Sequence, residues 1–151
     1  MEHNETLQRA LKLLDRRDYS RRALLDKLLE QGAPPEAADA AADRLEALGF
    51  LNDARYAGLV VRHYGERGYG PARIRQELHR RGVPRGLWDE ALEGLEPDSE
   101  TLDRLLASRL RGADLEDRAV KKRAADYLLR RGYGWEEISA AMARYLEDKD
   151  E

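Results

Sequence analysis

Residues 69–82 read YGPARIRQELHRRG. Fifty positions upstream, residues 19–32 read YSRRALLDKLLEQG, and fifty positions downstream, residues 119–132 read AVKKRAADYLLRRG. Each stretch ends in a glycine, Gly32, Gly82 or Gly132, with Leu28, Leu78 or Leu128 four residues before it. One helical turn earlier stand Leu24, Ile74 and Ala124. Apolar residues spaced by four ahead of a glycine describe a helix with one inward face, stopped by a residue that takes φ > 0 at little cost. The common register makes the chain a threefold repeat.

The register continues on both sides of these segments. After the glycines, Ala38, Trp88 and Ile138 align, followed by Ala42, Leu92 and Met142 and then by Leu45, Leu95 and Tyr145. This is the inward face of a further helix in each repeat, started by Pro34 and Pro35 in the first copy and near Pro84 or Arg85 in the second. Ahead of the segments lie three more amphipathic stretches. They run from about Thr6 to Arg16 with Leu7, Ala10, Leu11 and Leu14 on one stripe, from about Asp53 to Arg67, and through Leu102, Leu105, Leu106 and Leu110. Ser20 is placed as an N-cap, Pro71 as a first-turn residue and Asp114 as the cap of the third repeat's second helix. Pro97 and Asp98 read as a linker, and the last helix spans Trp135 to Glu147 before an acidic, fraying tail. No stretch alternates as a strand does. The fold class expected is all-α: three tandem three-helix repeats of about 50 residues, 1–50, 51–96 and 97–151, stacked into an elongated, curved array.

Composition removes several classes of function. Of 151 residues, 38% are charged, and no apolar run is long enough to cross a bilayer. The opening Met1 to Thr6 is polar and acidic, without a signal-peptide pattern, so a cytoplasmic location and no membrane partner are expected. Absence of cysteine excludes a disulfide framework and a cysteine-metal site. The net charge of −3 is unevenly spread: residues 1–50 hold 8 basic and 10 acidic side chains, residues 51–95 hold 8 and 6, and residues 96–151 hold 11 and 14. Only the middle repeat is basic, and modestly so, which makes binding to naked DNA weak.

Catalysis finds no support in the residue pattern. His3, His63 and His79 are scattered without zinc-ligand spacing. No glycine-rich loop ends in Lys-Ser/Thr, and Gly65, Gly68 and Gly70 follow no strand. The expectation is a protein that is not an enzyme, with no catalytic residue, cofactor or metal.

The surface that could meet a partner is clearest in the middle repeat. Tyr56, Ala57, Val60, Val61 and Tyr64 share one arc of its first helix, with Arg55 and Arg62 opposite. In the second helix Ile74 and Leu78 face inward, which directs Arg73, Gln76 and Arg80 outward and leaves Arg75 and Arg81 on the flanks. The plain structural reading is a solvated charged face. Against it, 22 of the 27 basic residues are arginine, the side chain suited to bidentate carboxylate or phosphate contacts. Arg55, Arg62, Arg73, Gln76, Arg80 and Arg81 are the candidate partner-binding residues. Asn52 and Asp53 read as a helix cap and first-turn acid, Tyr19 and Tyr69 as staples at helix starts, and Trp88 as core. The clusters Lys121-Lys122-Arg123 and Arg130-Arg131 read equally as phosphate contacts or as exposed solubilising charge.

Three motifs together resemble a known family. Gly49-Phe50-Leu51-Asn52-Asp53-Ala54-Arg55-Tyr56-Ala57 is similar to the signature of the RecX family, regulators of the RecA recombinase. Tyr19-Ser20-Arg21-Arg22, leading to Leu24, Leu28 and Gly32, resembles that family's first-repeat pattern. Gly70-Pro71-Ala72-Arg73-Ile74-Arg75-Gln76-Glu77-Leu78, ending at Arg81-Gly82, resembles its second. The resemblance covers residues 8 to 147 and is strongest from Tyr19 to Leu92. It implies a monomeric modulator lying in the groove of the RecA filament on single-stranded DNA, touching that DNA weakly, and inhibiting strand exchange and ATP turnover or promoting disassembly. An array of helical units suits such a role, because successive weak contacts reinforce one another.

Two other classes compete. A direct DNA binder would use the helix after Pro34 or Pro84 as a recognition helix, but Ala37, Ala38, Ala41 and Ala42 offer no base-reading groups, and Asp39 and Asp43 would face phosphate. A generic α-solenoid scaffold is separated from the first reading only by the family motifs.

Overall fold

The computed structural model describes residues 3–95 and 99–150. Its helices are α1 (His3–Arg16), α2 (Arg21–Glu30), α3 (Pro35–Ala47), α4 (Asp53–Glu66), α5 (Pro71–Arg80), α6 (Trp88–Glu93), α7 (Ser99–Leu110), α8 (Arg118–Arg130) and α9 (Trp135–Asp150), with a 3-10 turn at Arg85–Leu87 leading into α6. No strand occurs among the described residues. The all-α, threefold three-helix plan follows the register of the sequence. Leu28, Leu78 and Leu128 have no exposed surface, Leu24 and Ile74 none, and Ala38, Trp88 and Ile138 are all buried. The expected linker at Pro97 and Asp98 lies outside the described residues.

The chain divides into two compact units, residues 1–60 with 77–92, and residues 61–76 with 93–151. In the first, Ala10, Leu24, Leu28, Ala38, Ala42 and Leu45 form a core over which Leu7, Leu11, Leu14 and Tyr19 pack. Ala37, Ala38, Ala41 and Ala42 of α3 are all buried, so small side chains line the face where helices meet. Ser20 is fully buried at the start of α2; its Oγ accepts from the Ala23 amide at 3.1 Å and donates to the Arg81 carbonyl at 2.5 Å. One hydroxyl thus caps its own helix and ties it to the turn that ends α5. Asp53 secures the same helix start, its Oδ1 accepting from the Arg21 amide at 2.7 Å. Gly82 completes the joint, because a Cβ there would lie 2.8 Å from Arg22 Cβ.

The second unit builds the same joint one repeat later. The Gly70 amide donates to the Arg131 carbonyl at 2.8 Å and the Ala72 amide to the Gly132 carbonyl at 3.1 Å. A Cβ on Gly70 would meet the Gly132 carbonyl oxygen at 2.5 Å. The core of this unit is built from Leu102, Leu106, Leu110, Ala124, Leu128 and Ile138. All three repeat glycines take positive φ, 95° at Gly32, 79° at Gly82 and 101° at Gly132. Only the latter two are also packed against a neighbouring repeat, since a Cβ on Gly32 meets open space.

Four local expectations need correction. Asp114 does not cap α8: its Oδ1 accepts from the Glu116 amide in a tight turn, and Asp117 is the cap, accepting from Ala119 at 2.9 Å. The helix therefore starts three residues ahead of the register set by Arg21 and Pro71. Leu95 lies past the end of α6, which stops at Glu93 before Gly94. Helix α9 runs on to Asp150 in place of the fraying expected after Glu147, with Lys149 lying 5.7 Å over the Tyr145 ring one turn earlier. Arg73, expected to point outward, is half-buried.

Candidate interaction surface

The six residues singled out in the middle repeat fall into both units, and the structure gives them different roles. In the first unit Arg55 is exposed, but both of its terminal nitrogens donate to the Gly49 carbonyl at 3.3 Å. Its own amide donates at 3.0 Å to Asn52 Oδ1. Asn52 thus caps α4 while Asp53 serves α2, so the pair Asn52-Asp53 fixes two helix starts at once. Arg80 and Arg81 converge on Glu77, which is only 4% exposed: Arg80 donates at 3.0 Å and Arg81 at 3.2 Å to Glu77 Oε2. Arg81 also donates to the Tyr56 hydroxyl at 3.1 Å. Two guanidinium groups on one buried carboxylate is the pairing such a charge needs away from water. Arg80 remains exposed on its outer side; Arg81 is turned to the interior of its unit.

In the second unit Arg62 and Gln76 are exposed, on α4 and α5. Arg73 lies beneath the Gly132 turn, its guanidinium 5.6 Å from the Tyr69 ring centroid. Arg131 covers the same ring at 4.1 Å and donates to the Arg67 carbonyl. Tyr133 donates its hydroxyl to the Gly68 carbonyl at 2.8 Å. Tyr69 is thus a platform flanked by two arginines, which gives Arg131 a structural role. The helical wheel could not show this, since what turns Arg73 inward is the next repeat's glycine.

Elsewhere several of the charges are paired along or between helices. The Arg21 guanidinium bonds Glu46 at 2.9 Å and Asp43 at 2.8 Å; the Glu46 bond, with the Asp43 bond adding to it, raises its pKa against the lowering effect of burial. Arg144 is likewise raised by its hydrogen bonds to Asp103, the shorter at 2.7 Å. Both are fixed cations. Asp43 on α3 is engaged by Arg21, and Ala37, Ala38, Ala41 and Ala42 of that helix face inward. Among the described residues no three His, Cys, Asp or Glu side chains gather into a metal-ligand set, and no helix is long and apolar enough to cross a membrane.

Sequence reasoning passed over Trp135, which opens α9 at 63% exposure. The signal was present: Pro35 and Arg85 occupy the same register position, so the repeat itself has no use for an aromatic ring there.

These observations define an all-α protein of three three-helix repeats, joined at glycine turns. Residues 7–45, 52–92 and 96–142 match, in order, the first, second and third three-helix domains of RecX. The chain belongs to the RecX family, and it is a RecX-type regulatory protein. It is 42% identical over 143 residues to regulatory protein RecX of Xanthomonas axonopodis pv. citri (strain 306), covering 94% of this chain and 88% of that one. With regulatory protein RecX of Halorhodospira halophila (strain DSM 244 / SL1) it shares 40% identity, covering 93% and 88%. The crystal structure of RecX from Lactobacillus salivarius superposes with a TM-score of 0.80 at 22% identity over 94% of this chain and 95% of that one. A second crystal structure of a regulatory protein RecX gives 0.83 at 21% identity, over 93% and 71%. At those identities the structural likeness concerns the fold.

Proposed function

We propose that the chain binds the RecA recombinase filament on single-stranded DNA and restrains it, by inhibiting ATP turnover and strand exchange or by promoting disassembly. The observation that carries this reading is that the three repeats match the first, second and third RecX three-helix domains in order. The exposed Arg55, Arg62, Gln76 and Arg80 of the basic middle repeat offer charge-assisted hydrogen bonds to carboxylate or phosphate. The acidic outer repeats disfavour uptake onto naked DNA, which directs the chain to the protein filament and leaves the DNA contact weak. It acts as a monomer in the cytoplasm, without catalysis or cofactor.

The test is the single-stranded-DNA-dependent ATPase of the cognate RecA, titrated with this protein, beside binding to the same DNA alone. Inhibition well below one chain per recombinase with little binding to bare DNA supports the reading. Unchanged ATPase together with salt-sensitive DNA binding replaces it with a DNA-binding module.

A further inference from the structure

The third repeat exposes an aromatic surface that its own fold does not use. Trp135 is more exposed than Phe50, at 63% against 57%, and its register partners Pro35 and Arg85 show that the helix start does not require it. A tryptophan left in water offers a large area for burial on association, and such residues dominate binding energy where they are found at interfaces. Trp135 also borders a cleft of about 400 Å³ between α8 and α9. Ala125, Ile138 and Met142 give the cleft its apolar lining, and Lys121, Lys122, Asp126 and Ser139 complete it.

The charges around the cleft select its occupant. Lys122 is paired with Asp126 at 3.3 Å, one turn along α8. Lys121, half-buried at the same rim, is the uncompensated charge among the lining residues. An apolar recess beside one cation suits an apolar side chain adjacent to a carboxylate. A nucleic acid strand fits less well, because Glu136 and Glu137 follow Trp135 directly and Asp126 is already neutralised by Lys122, so a polyanion stacked on the indole would meet two carboxylates. We propose that this cleft is a docking site for a protein segment that inserts a bulky apolar side chain beside Trp135 and sets a carboxylate against Lys121. The site rests on the third repeat alone and does not depend on the recombinase reading.

The experiment titrates the full chain with three short synthetic peptides of one Gly/Ser frame: a Phe-Leu pair flanked by Asp and Glu, the same pair flanked by Lys, and the acidic flanks with Ser in place of Phe-Leu. An oligothymidylate is the fourth probe, and tryptophan emission is read beside anisotropy of the labelled probe. The acidic Phe-Leu peptide is expected to bind and move the emission to shorter wavelength, with Trp135→Phe abolishing the spectral change, since Trp88 is already buried. Lys121→Glu should weaken that peptide roughly tenfold and improve the Lys-flanked one, an inversion that lost packing would not produce. Trp135 is exposed and Lys121 lies at the cleft rim outside the buried core, so the melting temperature should change little. Equal binding of acidic and basic peptides, binding of none, or oligothymidylate competing with the peptide for Trp135 would each overturn the proposal.

Discussion

Gly132 is packed onto Arg73: a Cβ on the glycine would stand 2.5 Å from the arginine's Cβ and press on its amide nitrogen. Gly32, its counterpart in the first repeat, has the same left-handed backbone, yet a Cβ there would have nothing within 4 Å. Gly82 is intermediate, meeting the Arg22 side chain at 2.8 and 3.0 Å. The three alanine substitutions should therefore rank by packing and not by φ. Gly32→Ala carries the backbone cost alone, about 1 kcal/mol. Gly132→Ala adds a clash with backbone that cannot move aside, for a total of about 3 kcal/mol. Gly82→Ala falls between, because a side chain can shift. Urea denaturation of the three variants checks the order, and equal losses would mean that the joints are loose.

Ser20 and Asp117 both cap helices, but only Ser20 also bonds across to another repeat. Ser20→Ala deletes the cap and leaves the Arg81 carbonyl without its buried donor, a cost of about 2 kcal/mol. Asp117→Ala, on an exposed turn, should cost about 1 kcal/mol. Ser20→Asp separates the two roles: the carboxylate can cap but cannot donate to Arg81 and would be buried against its carbonyl oxygen, so it should lose more than Ser20→Ala in the same denaturation measurement.

The helices and their inward faces were legible because period and punctuation agree at each copy. Leu28, Leu78 and Leu128 are buried where a single-helix wheel puts them. What the wheel could not supply were contacts made across repeats. Arg73 reads as outward on α5, yet the Gly132 turn lies over it; Arg81 reads as a flank, yet it holds Glu77 and Tyr56. Asp114 and Asp117 both precede the apolar stripe of α8, and the choice of cap between them is made by a three-residue turn that keeps Asp114 for Glu116. Of the candidate surface, Arg55, Arg62, Gln76 and Arg80 are exposed as read from the sequence, and Trp135 escaped notice because its meaning lies in comparison with Pro35 and Arg85.

Glu77 should matter more to stability than its place on a polar-looking helix suggests. It is buried and receives hydrogen bonds from Arg80 and Arg81. Glu77→Ala leaves Arg81, whose side chain is 30% exposed, beside a void without its carboxylate. A fully buried broken pair costs about 3–5 kcal/mol; solvent access at both arginines reduces this to about 2 kcal/mol. Thermal unfolding should show the loss, and Arg80→Ala, whose side chain is 69% exposed, should cost well under half as much.

A test of the middle repeat's surface must use residues that hold nothing in place. Arg73 supports the Gly132 turn and Arg80 bonds Glu77, so reversing their charges alters folding together with any partner contact. Arg62 and Gln76 are exposed on helices whose inward faces are set by Val60, Val61, Ile74 and Leu78. The double variant Arg62→Glu with Gln76→Glu should melt within about 0.5 kcal/mol of the parent, as surface changes do. If the proposed filament contact uses this surface, the variant should need roughly tenfold more protein for half-inhibition of the RecA ATPase, the effect of about 1.4 kcal/mol of lost charge complementarity. Arg73→Glu should instead lower the melting temperature whether or not RecA is ever bound. An unchanged inhibition curve for the Arg62 and Gln76 variant would remove these two residues from the interface.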